Sequence, residues 1–362
     1  MKRLNTIDAD TLQSTVYEPI QFLISDLLPQ GLHLLAGAPK IGKSWLALWL
    51  CLRVAQGEPV WNFETKPCEV LYLCLEDSFQ RIQSRLFDLT EDAPPTLHFA
   101  VMSQQLHNGL VEQIRQFLKE HPTTGLVAID TLQRIRTAGN EANPYASDYR
   151  DIGVLKALAD EQHIAILLVH HLRKMNDEDP MNMISGTTGL SGATDSNFVL
   201  RKSRRGENTA TLYCTGRDIA YRELKLEFDS KAHIWNLLED NHEPESEPQD
   251  EIISAVSAFL AAQGSFVGTA TELAEALKPY STHEWTPPVL SKKLIRYATE
   301  LKAQGIRFNT DRTRERRELR LCVVSDGNDG SDGKNETGSV AKLLSQPSHC
   351  HEADKTAPAL PL

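Results

Sequence analysis

A glycine-rich segment at residues 37–45, GAPKIGKSW, constrains this chain more than any other part of its sequence. The segment fits the pattern G-x-x-x-x-G-K-[ST], in which Gly37 opens the loop and Lys43 and Ser44 close it. The apolar run LHLLA precedes it, and KSWLALWLCLRVAQG, a helical pattern that stops at Gly57, follows it. A strand before the loop and a helix after it are the context that this pattern requires. The sequence therefore predicts a phosphate-binding loop.

The chemistry of such a loop assigns roles to its residues. Backbone N–H groups turn inward, and the N-terminus of the following helix favours an anion. Lys43 is expected to reach the β- and γ-phosphates of a nucleotide, and Ser44 is expected to hold Mg²⁺. The expected nucleotide-binding residues are Gly37, Ala38, Pro39, Lys40, Ile41, Gly42, Lys43 and Ser44.

Three further apolar runs end in polar residues that suit hydrolysis. LYLCLED contains Glu76, the candidate general base, and LVAIDTLQRI contains Asp130, the candidate acid behind the metal. ILLVHH ends in His170 and His171, one of which is expected to sense the γ-phosphate. The carboxyl ends of parallel strands meet at one edge of an open sheet. We therefore expect these side chains to lie beside Lys43.

The pattern of apolar runs predicts an α/β fold. Strand-like and helical patterns alternate over residues 31–240, which indicates a mostly parallel sheet with helices on both faces. After residue 195 several strand-like runs follow one another with short turns, so an antiparallel extension of the sheet is expected.

The remaining segments differ in composition from this domain. Residues 1–30 form a polar lead-in, and residues 241–250 form an acidic linker. Residues 251–324 predict three helices and a hairpin, which is the order of a winged helix. Residues 325–362 are rich in Gly, Asp, Ser and Pro and are expected to be disordered.

Charge and cysteine usage exclude several classes of protein. The net charge of −11 argues against a nucleic-acid-binding surface that covers the whole protein. The six cysteines form no C-x-x-C pair, which is typical of a reduced, intracellular protein without a cysteine-based zinc framework. The N-terminal residues lack the apolar segment of a signal peptide, and no run approaches the length of a membrane span. The expected location is the cytoplasm.

The phosphate-loop segment and the strand segment that contains Glu76 also resemble a known family. LLPQGLHLLAGAPKIGKSWLALWLCLRVAQG followed by VLYLCLEDSFQRIQSRL resembles the RepA-like, RecA-fold hexameric helicases of plasmids and mobile elements, which are relatives of the DnaB helicases. The resemblance covers roughly residues 17–238. It implies ATP as the nucleotide, Mg²⁺ as the metal, Glu76 as the catalytic glutamate, Asp130 as the Walker-B acid and His170 as the sensor.

The resemblance also implies a catalytic arginine that acts between subunits. In this family a late strand carries an arginine that reaches the ATP of the neighbouring subunit, and Arg217 in YCTGRDIAYRELKLEFD matches that position. Arg201, Arg204 and Arg205 in RKSRRGE compete for the role, and a surface arginine in a hairpin turn is the alternative for Arg217. The resemblance therefore implies a homo-oligomer, expected to be a hexameric ring.

Candidate DNA contacts lie in two regions. Arg173 and Lys174 precede a Gly/Ser/Thr-rich stretch, NMISGTTGLSGATDSN, whose position in RecA-like motors faces the central channel. Residues 291–320 carry a net charge of +6, which is typical of a nucleic-acid contact. A solvated hairpin or a protein-docking surface is the alternative for this region. The candidates there are Lys292, Lys293, Arg296, Arg312, Arg314, Arg316 and Arg317.

Three functions follow from these observations. The first is a ring-forming helicase that hydrolyses ATP between subunits and moves on single-stranded DNA during replication of a plasmid, phage or integrated element. The second is a nucleotide-gated, RecA-like regulatory ATPase that binds DNA without unwinding it. A primase–helicase is the third, but the sequence lacks a separate strand with the paired acids of a polymerase. A primase or an initiator protein is therefore expected as a partner.

Overall fold

A computed structural model describes residues 4, 6–17, 19–136, 144–172, 177, 179–184, 188–202, 204, 207–242, 250–312 and 317–323. For residues 144–147, 188, 311, 312 and 317 it describes the backbone alone. The chain forms two compact units, one of residues 17–248 and one that joins residues 1–16 to residues 249–362. Each unit is described by itself.

The larger unit is built on one sheet of nine strands. A short hairpin of β1 (Phe22–Ile24) and β2 (Leu28–Pro29) precedes this sheet. The strands of the sheet are β3 (Gly31–Gly37), β4 (Glu69–Cys74), β5 (Leu97–Ala100), β6 (Thr124–Asp130), β7 (Ala165–His171), β8 (Ser196–Arg201), β9 (Thr209–Gly216), β10 (Arg222–Asp229) and β11 (Ile234–Asp240).

The order of the strands confirms the predicted architecture. From one edge to the other the order is β5-β4-β6-β7-β3-β8-β9-β10-β11. All pairs from β5 to β8 are parallel, and all pairs from β8 to β11 are antiparallel. The sheet is therefore mostly parallel, with the antiparallel extension that the sequence predicts after residue 195. The carboxyl ends of β3, β4, β6 and β7 lie at one edge.

Helices cover both faces of the sheet because its central strands are apolar on both sides. On β3, Leu35 packs into a core that contains residues of α2, and Leu34 packs into a second core that contains residues of α4 and α6. Alternation of side chains along the strand places them on opposite faces. The helices are α1 (Ala9–Gln13), which belongs to the smaller unit, and α2 (Lys43–Gln56), α3 (Phe79–Leu89), α4 (Val111–Glu120), α5 (Leu132–Ile135), α6 (Pro144–Gln162) and α7 (Thr188–Ala193). A π-helical turn at Leu106–Leu110 and a 3₁₀ turn at Pro180–Met183 complete this unit.

The smaller unit combines helices with a three-stranded antiparallel sheet in the order β12-β14-β13. The predicted third helix is two helices, because the chain breaks at Tyr297. A separate apolar core includes Ile252, Leu273, Leu294 and Leu321. The elements are α8 (Glu251–Gln263), β12 (Ser265–Gly268), α9 (Ala270–Leu277), a 3₁₀ turn at Lys278–Tyr280, α10 (Pro287–Arg296), α11 (Ala298–Ala303), β13 (Ile306–Arg312) and β14 (Arg317–Val323). Among the described residues, no helix has the length and apolarity that crossing a membrane requires.

Candidate functional site

Two glycines shape the phosphate loop between β3 and α2. A Cβ at Gly37 would lie 2.9 Å from Cδ of Lys43 and 3.0 Å from the carbonyl oxygen of Leu200. Gly42 has a φ of +104°, and a Cβ there would lie 3.0 Å from Nε1 of Trp235. Side chains of the L configuration rarely adopt this backbone conformation. Glycine at both positions therefore allows the loop to turn directly into α2, as the sequence pattern predicts.

Lys43, the first residue of α2, lies inside the loop. Its Nζ donates to the carbonyl oxygens of Gly37 at 2.7 Å and Ala38 at 2.9 Å. The side chain is buried, and this burial lowers the pKa of Lys43 from 10.5 to about 8, although Asp130 and Glu76 oppose the change. The ammonium group is thus held beside the loop and within the field of two carboxylates.

Asp130 ends β6 and is buried behind the loop. The hydroxyl of Tyr72, on the neighbouring strand β4, donates to Asp130 Oδ2 at 3.1 Å. Burial raises the pKa of Asp130, and hydrogen bonds from Ser44 and Tyr72 oppose that rise. The hydroxyl of Ser44 and the carboxylate of Asp130 are therefore hydrogen-bonded to each other at the start of α2. This donor set fits Mg²⁺, which prefers oxygen ligands and is usually held by few protein groups.

Glu76 lies two residues beyond the end of β4 and is exposed. Its Oε1 accepts a hydrogen bond of 3.2 Å from the hydroxyl of Thr131, the residue after Asp130. The ends of β4 and β6 are thereby joined by side chains. The two carboxylates that the sequence predicts at one edge of the sheet do lie at one edge.

The loop, the lysine and both carboxylates border a single cavity of about 500 Å³. Mg²⁺ and the phosphates of a nucleotide require such a combination of backbone donors, a cation and carboxylates. The residues that line the cavity are Pro39, Lys40, Ile41, Gly42, Lys43, Ser44, Trp45, Glu76, Arg85, Asp130, Thr131, His171, Lys202 and Phe228.

The histidine on this cavity is His171 and not His170, the predicted sensor. His170 is 4% exposed and pairs with Ala36 in the sheet, whereas His171 pairs with Gly37 at the mouth of the loop. Successive residues of a strand point to opposite faces, so only one of the two can face the cavity. Nδ1 of His171 is buried and makes no hydrogen bond to another described residue.

Aromatic and cationic residues on the cavity wall were not predicted. Trp45 stacks on His233 with ring centroids 4.4 Å apart, and the guanidinium of Arg85 lies 5.3 Å from the Trp45 ring. Phe228 and His233 come from the hairpin between β10 and β11. Only Trp45, which directly follows the loop, had a local signal in the sequence. The others lie on α3 and on the β10–β11 hairpin, which are distant from the loop in the sequence.

Arg217 lies at the opposite end of the sheet from the phosphate loop. It follows β9, and its Nη1 is 3.5 Å from Oδ1 of Asp195, whose Oδ2 accepts from the backbone N–H of Leu32 at 2.8 Å. Leu32 is near the start of β3, and Gly37 is at its end. The Arg217 side chain is 62% exposed. The structure therefore separates Arg217 from the cavity of its own chain.

Of the competing arginines, Arg201 lies at the loop end of the sheet. Arg201 ends β8 and donates to the carbonyl oxygen of Asp177 at 3.4 Å, and Arg204 is exposed. Arg205 lies outside the described residues. Lys202, which sequence reasoning did not single out, lies 5.5 Å from the ring of Trp235 and borders the cavity.

Three of the candidate DNA contacts lie on α10. Lys292 and Arg296 are exposed, whereas Lys293 is half-buried and forms an ion pair with Asp250 before α8. Lys292 also borders a cavity of about 140 Å³ with Asp10 and Gln13 of the N-terminal segment. Arg173, Lys174, Arg314 and Arg316 lie outside the described residues, and of Arg312 and Arg317 only the backbone is described.

Comparisons with known proteins identify two regions of the chain. Residues 2–177 match the family described as the AAA domain, and residues 252–335 match the AICE RepA C-terminal domain. A solved ATPase domain is similar at 17% identity and a TM-score of 0.48, over 58% of this chain and 85% of that one. A DnaB-like replicative helicase, solved in a study of its interactions with primase, is similar at 17% identity and a TM-score of 0.48, over 58% of each chain. No curated protein matched the sequence.

Proposed function

We propose that the protein is a RepA-like, ring-forming ATPase that moves on single-stranded DNA as a replicative helicase. The matches of its two regions to the AAA domain and to the AICE RepA C-terminal domain support this proposal. Subunits would bind ATP between them, and hydrolysis would drive the movement. The replication of a plasmid, phage or integrated element is the proposed setting.

The observation that supports ATP hydrolysis best is the convergence of Lys43, Glu76 and Asp130 on one cavity. The Lys43 ammonium now bonds two loop carbonyls, and we infer that it moves to the β- and γ-phosphates when they bind. Glu76, which accepts a hydrogen bond from Thr131, would accept a proton from the attacking water. His171, which borders the same cavity, would donate a hydrogen bond to the γ-phosphate.

Ser44 and Asp130 would hold Mg²⁺ at the start of α2, Ser44 directly and Asp130 through the water shell of the metal. When bound, the metal neutralises charge on the phosphate oxygens. Tyr72 keeps Asp130 oriented towards this position, because its hydroxyl occupies one carboxylate oxygen.

The position of Arg217 supports an assembly in which it serves a neighbouring subunit. It lies near the start of β3, about 16 Å along the strand from the loop at the rise of a β-strand. An arginine side chain cannot span that length along the sheet to its own cavity. A cation supplied by the next subunit would make hydrolysis depend on assembly, and this is the role we assign to Arg217.

DNA contact is proposed for two regions. The exposed Lys292 and Arg296 on α10 suit phosphate contact, and Lys293 is less suited because Asp250 already pairs with it. The smaller unit has the helices and the hairpin of a winged helix, the fold that we propose for it. The stretch around Arg173 and Lys174 remains a proposal from the sequence.

The test is whether ATP turnover, assembly and DNA unwinding occur together. Purified protein is expected to form rings with a non-hydrolysable ATP analogue in electron microscopy, to hydrolyse ATP faster with single-stranded DNA, and to unwind a forked duplex. The Lys43→Ala variant serves as the matched control without catalysis. A wild-type protein that stays monomeric with the analogue and shows no DNA-stimulated hydrolysis would refute the proposal.

A nucleotide-gated DNA-binding regulator is the second candidate, because α10 of the smaller unit carries two exposed cations, Lys292 and Arg296. Such a protein would bind duplex DNA with sequence preference and would not unwind a fork. A helicase would prefer forked and single-stranded DNA. Binding measured with matched duplex, fork and single-stranded oligonucleotides separates the two functions.

A further inference from the structure

A second cluster of chemically active side chains lies at the opposite end of β4 from the nucleotide cavity. Glu69 is the first residue of β4, His98 lies on the adjacent edge strand β5, and His121 follows the last residue of α4. Cys74, at the other end of β4, is about 17 Å from Glu69 at the rise of a strand, and Glu76 lies two residues beyond Cys74. The cluster is thus separate from the site of the proposed ATPase.

The three side chains converge on one point. Glu69 Oε1 lies 3.3 Å from Nδ1 of His121 and 3.7 Å from Nε2 of His98. One ligand atom from each residue lies within 4.8 Å of the other two. Two ligands of a tetrahedral zinc ion, each about 2.1 Å from the metal, are about 3.4 Å apart. The two measured separations fall on either side of that value.

Neighbouring residues hold the ligand atoms in this arrangement. The hydroxyl of Thr123 donates to Glu69 Oε2 at 2.7 Å, which leaves Oε1 directed towards the imidazoles. Phe117 stacks on His121 with centroids 4.3 Å apart and meets His98 edge to face at 5.2 Å. Outer residues that orient ligands in this way are typical of metal sites.

The Nε2 atom of His98 lacks a hydrogen-bond partner within the part of the chain that the structure describes, and a metal ion could take the place of that partner. This Nε2 atom is buried. A buried ring nitrogen without a hydrogen bond is unfavourable. A metal ion between His98, His121 and Glu69 would give this nitrogen a partner.

We propose that Glu69, His98 and His121 bind a divalent metal ion of the Zn²⁺ type. Two imidazole nitrogens and one carboxylate oxygen are a zinc donor set, and water would fill the fourth position. Mg²⁺ and Ca²⁺ prefer sites made of oxygen atoms, so they are expected to compete poorly. The side chains are 19–31% exposed, which leaves a path for the ion.

The metal would be a structural ion that cross-links elements at the edge of the sheet. It would join the start of β4, the edge strand β5 and the end of α4, three elements that are distant in the sequence. A ligand that binds only the folded state stabilises it by mass action. Zn²⁺ is therefore expected to raise the melting temperature of the protein.

The experiment measures Zn²⁺ binding to the full chain by competition with a chromophoric chelator, in excess Mg²⁺ and without nucleotide. Wild type is expected to bind one equivalent through this cluster. His98→Gln, His121→Gln and Glu69→Gln should each weaken binding by about 100-fold or more, and Thr123→Val by about 10-fold. Bound Co²⁺ should give visible d–d absorption in wild type and lose it in the three ligand variants.

Two control variants separate this cluster from other histidines. His283→Gln removes an exposed histidine of the smaller unit, and the His349→Gln/His351→Gln double variant removes the histidines that flank Cys350. Both are expected to retain the wild-type affinity. Thermal melting in the presence of a chelator tests whether each ligand variant is folded. If a ligand variant does not fold, Thr123→Val still tests the site, because it keeps all three ligands.

Wild-type affinity in the three ligand variants and in Thr123→Val would overturn the proposal. Loss of binding in the double variant alone would overturn it too, as would a wild-type protein that binds no Zn²⁺. These outcomes leave the proposed ATPase untouched, because neither the three ligand residues nor Thr123 lines the nucleotide cavity.

Discussion

The hydroxyl of Thr131 donates a hydrogen bond of 3.2 Å to Oε1 of Glu76 and so connects the ends of two neighbouring parallel strands. Thr131 directly follows the buried Asp130, and both residues border the nucleotide cavity with Glu76. The proposed general base is thus held by the residue next to the proposed metal-site acid. This contact couples the position of Glu76 to that of Asp130 through Thr131.

Removing the base should abolish turnover without abolishing binding. Glu76→Gln keeps the hydrogen bond from Thr131 but cannot accept a proton, so the ATPase rate is expected to fall by about 100-fold or more. Thr131→Ala should cause a smaller loss, and Thr131→Ser should retain most of the rate. Steady-state ATPase assays and nucleotide titrations on the same preparations measure both effects. Equal rates for Glu76→Gln and wild type would remove Glu76 from the chemistry.

Nucleotide affinity is expected to decrease as the pH rises through about 8. Burial lowers the pKa of Lys43 from 10.5 to about 8, so its ammonium is present below that pH and is lost above it. Phosphates bind the charged form, and the dissociation constant should rise by up to about tenfold for each further pH unit. Titration with a fluorescent nucleotide from about pH 7 to about pH 9 measures the slope. Lys43→Arg stays charged and should show a flat profile, and the same slope in that variant would contradict the assignment.

Arg217 should act on the neighbouring subunit. Arg217→Ala is expected to lower ATP turnover by about 10³-fold while nucleotide binding persists. Mixing it with Lys43→Ala should restore part of the activity, because some interfaces then join an intact cavity to an intact arginine. Arg201→Ala, which alters an arginine at the loop end of the sheet, is the matched control. A mixture no more active than its components would show that Arg217 does not act across subunits.

The two adjacent histidines should give different defects. His171→Ala is expected to lower turnover by about 10²-fold with little change in the melting temperature, because His171 borders the cavity. His170→Ala should instead lower the free energy of unfolding by about 1–3 kcal/mol, because its side chain is buried. Thermal melts and ATPase assays on both variants check this. The reverse pattern would return the sensor role to His170.

DNA binding through α10 should depend on salt. Replacing Lys292 and Arg296 together with glutamine removes two exposed cations. The slope of log affinity for duplex DNA against log salt should decrease in magnitude by about 1.8. Lys278→Gln, which removes a lysine paired with Glu275, is the control. An unchanged slope in the double variant would favour a protein-docking role for α10.

The sequence by itself determined the local parts of this protein. The spacing from Gly37 to Ser44 required a phosphate loop, and the apolar runs before Glu76 and Asp130 required buried strands that end in acids. These features are local because a strand or a loop is encoded by residues that are adjacent in the chain. The ends of parallel strands meet at one edge, so the proximity of Lys43, Glu76 and Asp130 also followed.

Only the tertiary structure decided which distant residues meet. The choice of His171 over His170 depends on which face of β7 borders the loop, and the contact of Phe228 with the cavity depends on where the β10–β11 hairpin folds. Glu69, His98 and His121 converge because β4 and β5 pair at the sheet edge and α4 ends beside them. Strand order is set by packing over the whole sheet and not by any local pattern, since each strand is apolar enough to occupy several positions.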